Sequence, residues 1–377
     1  MTAFPILQFG TSRFLQAHVD LFVSQALARG EAVGRIAVVQ TTSSTESRKR
    51  LDAFATGKPY RVAVKGLASG KIVDESVQVT SVGAGVDAAT QWDEVERLFN
   101  SARCAVSNTA DRGYETDPAD RPDAGPPRSF PAKLAKLMLA RHRTGAEPIT
   151  LFPCELTPAN GEALRAVVLG VLDRWDVPAK ARQWVADDCV WVNSLVDRIV
   201  SEPLQPLGAV AEPYALWAIE GQPGLELPCR HASITVTGDL KPYERLKLFI
   251  LNLGHTYLAE IWARGAGAPT LNVREAMADK ATRAELDQLL DEEVLPVFAG
   301  VGMKKEAEAY RATVVERFSN PFLDHRLAEI FINHEAKKRR RFGGLIELAE
   351  ANDVRVRLPR LRVALASQFG NRVPHTG

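Results

Sequence analysis

The chain has 377 residues, which exceeds what one minimal domain needs and indicates two domains. Apolar residues make up 46% of it and charged residues 25%, so disorder, a collagen-like repeat and a coiled coil are excluded as the main state. The 47 Lys and Arg residues nearly balance the 46 Asp and Glu residues, and the formal charge of +1 gives no bulk field for a nucleic acid. Only the basic run 337–341 (KKRRR) offers a local cationic patch.

No stretch of about 18 consecutive apolar residues is present, and the N-terminus carries no basic segment before its first apolar run. The four cysteines lie far apart and form no metal-ligand spacing. We therefore expect a cytoplasmic protein with reduced cysteines, with no metal, membrane or nucleic acid as partner. The oligomeric state stays open.

The first forty residues predict a strand, a helix and a second strand. The apolar run 4–9 (FPILQF) has strand length and ends at Gly10, an amphipathic stretch covers 14–28, and a β-rich run follows at 35–40 (RIAVVQ). Such a βαβ unit has a right-handed crossover and parallel strands. It is typical of half a nucleotide-binding fold.

The rest of the chain changes character near residue 190. Before it, β-rich runs alternate with helical ones, which indicates an α/β domain: strands at 60–64, 72–82, 104–107 and 149–153, helices at 91–101 and 130–143. Residues 115–128, with four prolines and four acids, predict a surface loop. After an irregular, proline-rich stretch at 201–231 and a weak β signal at 232–236, helical patterns dominate: 243–264, 273–277, 283–298, 304–318, 324–336 and 344–350. We predict a Rossmann-type dinucleotide-binding domain over 1–190 and a mostly helical catalytic domain over 191–377.

The turn after the first strand reads Gly10-Thr11-Ser12. A glycine there lets the backbone approach a pyrophosphate, and the following helix start presents unpaired N–H groups. The turn departs from G-x-G-x-x-G, because Ser12 and Leu15 replace the second and third glycines. An ordinary capped helix start remains an alternative interpretation.

The end of the second strand bears on the choice of cofactor. An acidic residue that binds the ribose 2′-hydroxyl of NAD is expected there, but the chain has Gln40, followed by hydroxyl residues 41–44 and the cations Arg48 and Lys49. These groups could hold a 2′-phosphate. NAD is favoured slightly, and NADP remains possible.

The sharpest local feature is the stretch 244–255, which carries Glu244, Lys247, Asn252 and His255. At about 100° per residue on an ideal helix, Glu244 lies about 60° to one side of Lys247, while His255 lies about 80° and Asn252 about 140° to the other. A desolvated Lys247 could exchange a proton with a reacting hydroxyl, Asn252 could donate to a developing alkoxide, and His255 could orient the substrate. For Asn252 and Lys247 to contact the same substrate atom, Asn252 needs side-chain reach or a local irregularity near Gly254. The alternative interpretation is a helix with one solvated face.

The pattern Lys-x4-Asn-x2-His, with Glu three residues before the Lys, resembles the catalytic helix of the mannitol dehydrogenase family, the polyol-specific long-chain dehydrogenases and reductases. Six further stretches resemble the family in the same order: 8–20 (QFGTSRFLQAHVD), 107–114 (SNTADRGY), 129–134 (SFPAKL), 153–161 (PCELTPANG), 192–200 (VNSLVDRIV) and 317–325 (RFSNPFLDH). Several of them look most like the hexuronate reductase branch, the tagaturonate reductases in particular.

This resemblance implies a metal-independent hydride transfer between a nicotinamide and a ketone or secondary alcohol of an open-chain sugar acid of the tagaturonate or altronate type. A polyol or polyol-phosphate substrate, and a nucleotide-binding sensor without turnover, are the alternatives. Carried over by matching positions, the resemblance makes Lys247 the general acid/base, Asn252 an oxyanion donor, His255 an orienting group and Glu244 a proton relay.

The resemblance also implies roles for residues outside that helix. The expected cofactor ligands are Gly10, Thr11, Ser12 and Phe14 at the pyrophosphate, Gln40 at the ribose, and Asn108 and Thr109 at the nicotinamide half. Asn193 and Asp197 would contact the substrate or the nicotinamide ribose. Arg317 and His325 could bind a substrate carboxylate, because Arg pairs with such groups through two bonds, or they could cap a helix.

One position departs from the family pattern. Mannitol dehydrogenases have Asp-Asn after the shared cysteine, and that Asn is a second oxyanion donor, whereas here Cys154 is followed by Glu155. The missing amide points away from plain polyols as substrates. The basic run 337–341 could serve a carboxylate or phosphate of the substrate, or form a solvated helix end.

Overall fold

The computed structural model describes residues 4–109, 113–265 and 268–369. The chain forms two compact units. The first comprises the chain up to Val64 with Glu75–Ala211 and Ala215–Leu240, and the second comprises Lys65–Asp74, Glu212–Tyr214 and the chain from Lys241 onward. Residues 191–240, apart from Glu212–Tyr214, thus belong to the first unit, whereas the predicted boundary lies at residue 190.

The strands of the described residues, numbered in chain order, are β1 (Ile6–Phe9), β2 (Ile36–Gln40), β3 (Tyr60–Ala68), β4 (Lys71–Val79), β5 (Val82–Asp87), β6 (Cys104–Ser107), β7 (Thr150–Pro153), β8 (Val190–Trp191), β9 (Ser194–Asp197), β10 (Val200–Pro203), β11 (Ala209–Ala211), β12 (Leu216–Glu220) and β13 (Ile234–Thr237).

Six strands form a parallel sheet in the order β5-β2-β1-β6-β7-β8. Counted within the sheet this is 3-2-1-4-5-6, the order of dinucleotide-binding folds, and it reverses between β1 and β6. Strands β1, β2, β6 and β7 are buried throughout, because helices cover both faces of such a sheet. The predicted α/β fold class, with a Rossmann-type N-terminal domain and a helical C-terminal domain, is confirmed.

The helices are α1 (Arg13–Gln16), α2 (Val19–Leu27), α3 (Thr45–Ala55), α4 (Trp92–Ser101), α5 (Phe130–Arg143), α6 (Asn160–Arg174), α7 (Ala179–Gln183), α8 (Lys241–Leu246), α9 (Leu253–Arg264), α10 (Val273–Ala278), α11 (Lys280–Leu289), α12 (Leu295–Gly300), α13 (Lys304–Phe318), α14 (Leu327–Phe331), α15 (His334–Lys338), α16 (Gly344–Ala351) and α17 (Pro359–Ala366). Within the described ranges, four π-helical turns interrupt or extend these helices: Trp184–Asp188, Lys247–Asn252, Leu290–Val294 and Arg339–Gly343.

Two predicted helices are broken in the structure. The stretch 14–28 divides into α1 and α2 at His18, whose φ of −126° and ψ of −92° leave the helical region. The His18 ring packs between Phe14 and Phe22, at ring-centroid distances of 4.8 and 4.5 Å, as a residue of the core. The stretch 324–336 divides into α14 and α15 at Asn333, which has a left-handed φ of 59°.

The irregular structure predicted for 201–231 is wrong, because this stretch contains parts of two small sheets. One has the order β10-β11-β3-β4, and the other has the order β13-β12-β9. Pro203 lies in β10, an edge strand, where a missing N–H breaks no ladder bond. Four of the described helices, α3, α6, α7 and α17, are also absent from the predicted elements.

The second unit consists mainly of helices packed around their own core. The apolar side chains of α9, α11, α12, α13 and α16 meet in one cluster, which includes Ile250, Leu286, Phe298, Phe318 and Phe342. This core holds the stretch 244–255 from one side, so that Phe249, Ile250 and Leu251 are buried. The other side of the same stretch carries the polar residues of the predicted site.

Candidate active site

The turn between β1 and α1 lies at the point where the strand order reverses. Gly10 has a φ of +117°, and a Cβ on it would lie 2.8 Å from the carbonyl oxygen of Asn108, so glycine is required there. Ser12 caps α1 by accepting a bond from the Leu15 N–H (3.2 Å) and donates to Asn108 Oδ1 (2.9 Å). Asn108 Nδ2 donates in turn to the Cys154 carbonyl (2.8 Å). This chain of bonds fixes the carboxyl ends of β1, β6 and β7 against one another.

A cavity of about 390 Å³ opens at these strand ends. Six of the predicted cofactor residues line it: Gly10, Thr11, Ser12, Gln40, Asn108 and Thr109. Phe14 is not among the lining residues, since its ring stacks on His18. Ligands of open parallel sheets bind in the crevice outside the strand ends at such a reversal point, which makes this cavity the candidate cofactor site.

Ser47 and Arg50 on α3 also line the cavity, and the sequence did not single them out. The cations predicted beside Gln40 were Arg48 and Lys49, but Arg48 instead pairs with Asp87, at 2.6 Å. The helix α3 decides which of the three neighbouring cations faces the cavity. Because α3 was not predicted, the periodicity that selects Arg50 could not be applied.

Glu155 is the centre of a hydrogen-bond network beside the cavity. Its buried carboxylate accepts bonds from the Thr109 N–H (2.9 Å), the Thr109 hydroxyl (3.0 Å), the Ser107 hydroxyl (3.1 Å) and the Tyr114 hydroxyl (3.1 Å). Burial, followed by the charge of Glu155, raises the pKa of Tyr114 well above its usual range, so the phenol stays a donor. Glu155 therefore holds the predicted ligand Thr109 in place.

The side-chain amide of the predicted ligand Asn193 forms its hydrogen bonds within the protein. Its Oδ1 accepts bonds from the N–H groups of Gly161 (3.0 Å) and Glu162 (3.1 Å) at the start of α6, and its Nδ2 donates to the carboxylates of Glu162 (3.1 Å) and Glu220 (2.8 Å). An amide group has two donor hydrogens and two acceptor lone pairs, all of which are used here. The structure thus gives Asn193 a helix-capping position rather than an open ligand position. Asp197 is buried at the end of β9.

In the second unit the stretch from Lys247 to Asn252 is π-helical, between α8 and α9. Hydrogen bonds in a π-helix join residues five apart, so each turn holds more residues than a turn of an α-helix. The angle between Lys247 and Asn252 around the helix axis is therefore smaller than the roughly 140° of an ideal α-helix. Both residues and Glu244 are half-buried. The predicted irregularity near Gly254 is present as a π-helical turn, which ends two residues before Gly254.

His255 lies in the first turn of α9 and is 6% exposed. Burial, and then the nearby His325, Arg317, Arg341 and Lys337, hold the pKa of His255 well below its ordinary value, so the ring is neutral. Its Nε2 has no hydrogen-bond partner among the described residues. The rings of Phe318 and His325 lie 4.3 and 4.9 Å from it between centroids.

The basic run is not a fully solvated helix end. Lys338 is completely buried and donates to the carbonyl and hydroxyl oxygens of Ser367, at 2.6 and 3.1 Å. Arg341 donates to the Asn252 carbonyl (3.0 Å) and the Thr256 hydroxyl (2.6 Å), and burial lowers its pKa to about 10. The pKa of Lys337 is also lowered, by burial and then by Arg341. Two cations thus lie near the π-helical turn.

Arg317 and His325, both predicted to bind a substrate carboxylate, have different surroundings. The Arg317 guanidinium forms a two-bond pair with Glu212, at 3.0 and 2.8 Å, with both side chains 2% exposed, and stacks over Tyr214 at 4.3 Å. Contrary to the expectation of an open carboxylate ligand, its fork is therefore occupied within the protein. His325 remains beside His255.

Neither a metal centre nor a membrane segment is found in the part of the chain that the structure describes. No three His, Cys, Asp or Glu side chains converge there as metal ligands. None of the helices described is both long and apolar enough to cross a bilayer.

The parallel sheet, with a cavity at the point where its strand order reverses, defines a dinucleotide-binding protein of the Rossmann type. Comparison with known proteins agrees. Residues 5–227 match the model of the mannitol dehydrogenase Rossmann domain, and residues 239–377 match that of the mannitol dehydrogenase C-terminal domain. The chain belongs to the mannitol dehydrogenase family, and it is an NAD-dependent oxidoreductase.

Among curated relatives, altronate oxidoreductase of Bacillus subtilis is 33% identical over 370 residues, covering 92% of this chain and 75% of the relative. Altronate oxidoreductase of Yersinia pestis is 32% identical over 390 residues, covering 96% and 78%. Two solved structures share the fold. A D-sorbitol dehydrogenase has a TM-score of 0.81 at 21% identity and covers 96% of this chain and 78% of its own. Mannitol 2-dehydrogenase of Pseudomonas fluorescens has a TM-score of 0.73 at 19% identity, covering 97% and 78%.

Proposed function

We propose that this protein interconverts a ketone and a secondary alcohol of an open-chain sugar acid of the tagaturonate or altronate type, with Lys247 as general acid/base. The observation that carries the proposal is the π-helical turn, which reduces the angle between Lys247 and Asn252 on a helix whose other side is buried. A bound nicotinamide supplies or accepts the hydride. The side chains of the protein then transfer one proton and stabilise the negative charge that develops on the substrate oxygen.

In the reducing direction, the Lys247 ammonium gives its proton to the carbonyl oxygen as that oxygen becomes an alcohol. The Asn252 side-chain amide donates a hydrogen bond to the same oxygen while negative charge develops on it. His255, held neutral, donates or accepts one bond to a neighbouring hydroxyl and orients the substrate. Glu244 lies three residues before Lys247, one turn away, and returns a proton to it.

Two observations favour a sugar acid over a polyol. The two curated relatives, of whose length this chain covers 75% and 78%, are named altronate oxidoreductases. Arg341 and Lys337 place positive charge beside His255, and an anionic substrate would offset it. Glu155, in place of the family's second oxyanion amide, belongs to the cofactor side of the site through its bonds to Thr109.

The first cofactor residues to test are those that line the cavity, namely Gly10, Thr11, Ser12, Gln40, Asn108 and Thr109. Asp197 and His325 remain proposed substrate contacts. The cytoplasmic location stays a prediction, and the oligomeric state stays open.

The test is the change in NADH absorbance of the purified protein with tagaturonate, fructuronate, fructose and mannitol. We expect turnover with the keto-acids, and Lys247→Met should lower kcat by roughly 10²- to 10⁴-fold while NADH binding, measured by fluorescence, is retained. Lys241→Met, at the exposed start of α8, is the matched control. Binding of NADH without turnover of any ketose or sugar acid, and without any effect of Lys247→Met, would favour a nucleotide-binding sensor instead.

A further inference from the structure

The end of β2 is the place where Rossmann-type folds distinguish NAD from NADP. A carboxylate there binds the adenosine ribose hydroxyls of NAD and repels a 2′-phosphate, whereas an Arg nearby accommodates it. Gln40 ends β2, is 1% exposed and lines the cavity. Its Nε2 donates to the Thr42 carbonyl (2.6 Å), which leaves Oε1 as an acceptor with no partner among the described residues. The neutral side chain of Gln40 therefore occupies the position of the carboxylate that selects NAD in other Rossmann-type folds.

A guanidinium group lines the same cavity. Arg50, on α3, reaches the Thr11 hydroxyl (3.4 Å) and the Ser47 hydroxyl (3.4 Å), and both residues also line the cavity. Its remaining described bond goes to Glu46 (2.7 Å), whose side chain is 69% exposed. Such a surface pair contributes little free energy, so it competes weakly with a phosphate. Three of the five N–H donors of Arg50 have described partners, and two remain for a ligand.

The acid nearest to Gln40 in the sheet is directed elsewhere. Asp87 pairs in register with Gln40 on the neighbouring strand, but its carboxylate binds Arg48 (2.6 Å) and the Ala89 N–H (2.9 Å). Asp87 is not among the residues that line the cavity. Among the described lining residues, one is acidic, the exposed Glu115, and two are basic, Arg50 and Arg128. This described part of the lining thus carries a net positive charge.

We infer that this cavity accepts the adenosine 2′-phosphate of NADP in addition to the free hydroxyl of NAD. The Arg50 guanidinium pairs with the phosphate oxygens, and the Ser47 hydroxyl donates to them. Arg50 is then the residue that determines cofactor specificity. This inference rests on the proposed placement of the cofactor in this cavity.

Isothermal titration calorimetry of the full chain with two cofactor fragments, ADP and 2′,5′-ADP, separates the inference from that placement. We expect the wild-type protein to bind both, and 2′,5′-ADP about tenfold more tightly. Arg50→Gln should weaken 2′,5′-ADP by about 10- to 100-fold, because charge-assisted bonds are lost, and change ADP by less than about threefold. Arg48→Gln removes the same charge two residues away and should leave the preference between the two fragments unchanged. Gln40→Glu should weaken 2′,5′-ADP tenfold or more and retain ADP.

Several outcomes would overturn the inference. If the wild-type protein binds ADP but rejects 2′,5′-ADP, the cofactor placement holds and the phosphate site is wrong. If Arg50→Gln weakens both fragments equally, Arg50 only supports the structure of the cavity. If neither fragment binds, the placement itself fails and the inference with it. Circular dichroism confirms folding of each variant, and Gln40→Glu decides the matter if Arg50→Gln does not fold.

Discussion

All hydrogen-bonding groups of the Asn193 side-chain amide have partners within the protein. A substitution of Asn193 should therefore affect the stability of the protein. Asn193→Ala would remove the acceptor for two N–H groups at the start of α6 and leave the Glu162 and Glu220 carboxylates without their shared donor. We expect the free energy of unfolding to fall by about 2–3 kcal/mol, measured by urea denaturation. A KM change of less than about threefold should accompany it. A variant of wild-type stability with a strongly raised KM would instead make Asn193 a substrate ligand.

Arg341 connects the basic run to the π-helical turn through the Asn252 carbonyl. If it also offsets a substrate carboxylate, Arg341→Gln should raise the KM for a keto-sugar acid about tenfold or more and affect fructose, which has no carboxylate, by much less. Steady-state kinetics with both substrates measures the difference. Arg340→Gln, at an exposed neighbour, is the control. An equal loss with both substrates would assign Arg341 to positioning Asn252 alone.

At the scale of the element, the π-helical turn depends on what packs beside it. Gly254 follows the turn by two residues, and a Cβ on it would lie 2.9 Å from the Phe318 ring, which in turn contacts His255. We expect Gly254→Ala to destabilise the protein by about 1–3 kcal/mol and to lower kcat, since Phe318 must shift and His255 with it. Gly343→Ala is the matched control, because a Cβ there meets nothing within 4 Å. Thermal unfolding and kcat of the two variants provide the comparison, and equal behaviour would contradict this account.

The candidate site could be predicted from sequence only in part. Lys247, Asn252 and His255 stand out because polar residues interrupt a buried helical pattern. The π-helical turn from Lys247 to Asn252 could not be predicted, because a projection at 100° per residue assumes a regular α-helix. Arg50 was missed because α3 is polar on most of its surface, with only Leu51 and Phe54 buried. Arg317 suggested a carboxylate ligand, and its partner Glu212 lies 105 positions away, beyond what spacing can show.

At the scale of the whole molecule, a buried acid in the first unit makes stability depend on pH. Burial raises the pKa of Asp20 from 3.8 to about 7, with Tyr60 OH donating to its Oδ2 at 2.7 Å. The folded state therefore holds a proton that the unfolded chain releases near pH 4. The stability associated with this proton is fully present below about pH 4 and is lost as the pH rises to about 7.

Asp20→Asn keeps the shape of the side chain and removes this dependence. We expect the variant to exceed the wild-type protein in unfolding free energy by about 2–4 kcal/mol at pH 8, and by much less at pH 4.5. Urea denaturation of the first unit at both pH values measures it. Parallel pH dependence in the two proteins would show that Asp20 is not the responsible group.

The overall fold was more accessible to prediction than the site. The strands of the parallel sheet are continuous apolar runs, so 104–107 and the helix 130–143 coincide with β6 and α5. The small sheets were missed, because β10 and β11 are short and lie among prolines, and the pairing of β11 with β3 joins residues more than 140 positions apart.

The RFSNPF stretch has a consequence for how this chain can be divided. Arg317 binds Glu212, Asn320 Nδ2 donates to the Lys65 carbonyl (3.0 Å), and Glu316 accepts bonds from the N–H groups of Ser69 (3.2 Å) and Gly70 (2.7 Å). A fragment starting at Lys241 would lack all these partners and would leave a guanidinium buried without its counter-ion, at a cost of about 3–5 kcal/mol. We therefore expect a chimera of two relatives joined at residue 240 to fold only when the segments that correspond to Lys65–Asp74 and Glu212–Tyr214 come from the same relative as the C-terminal half.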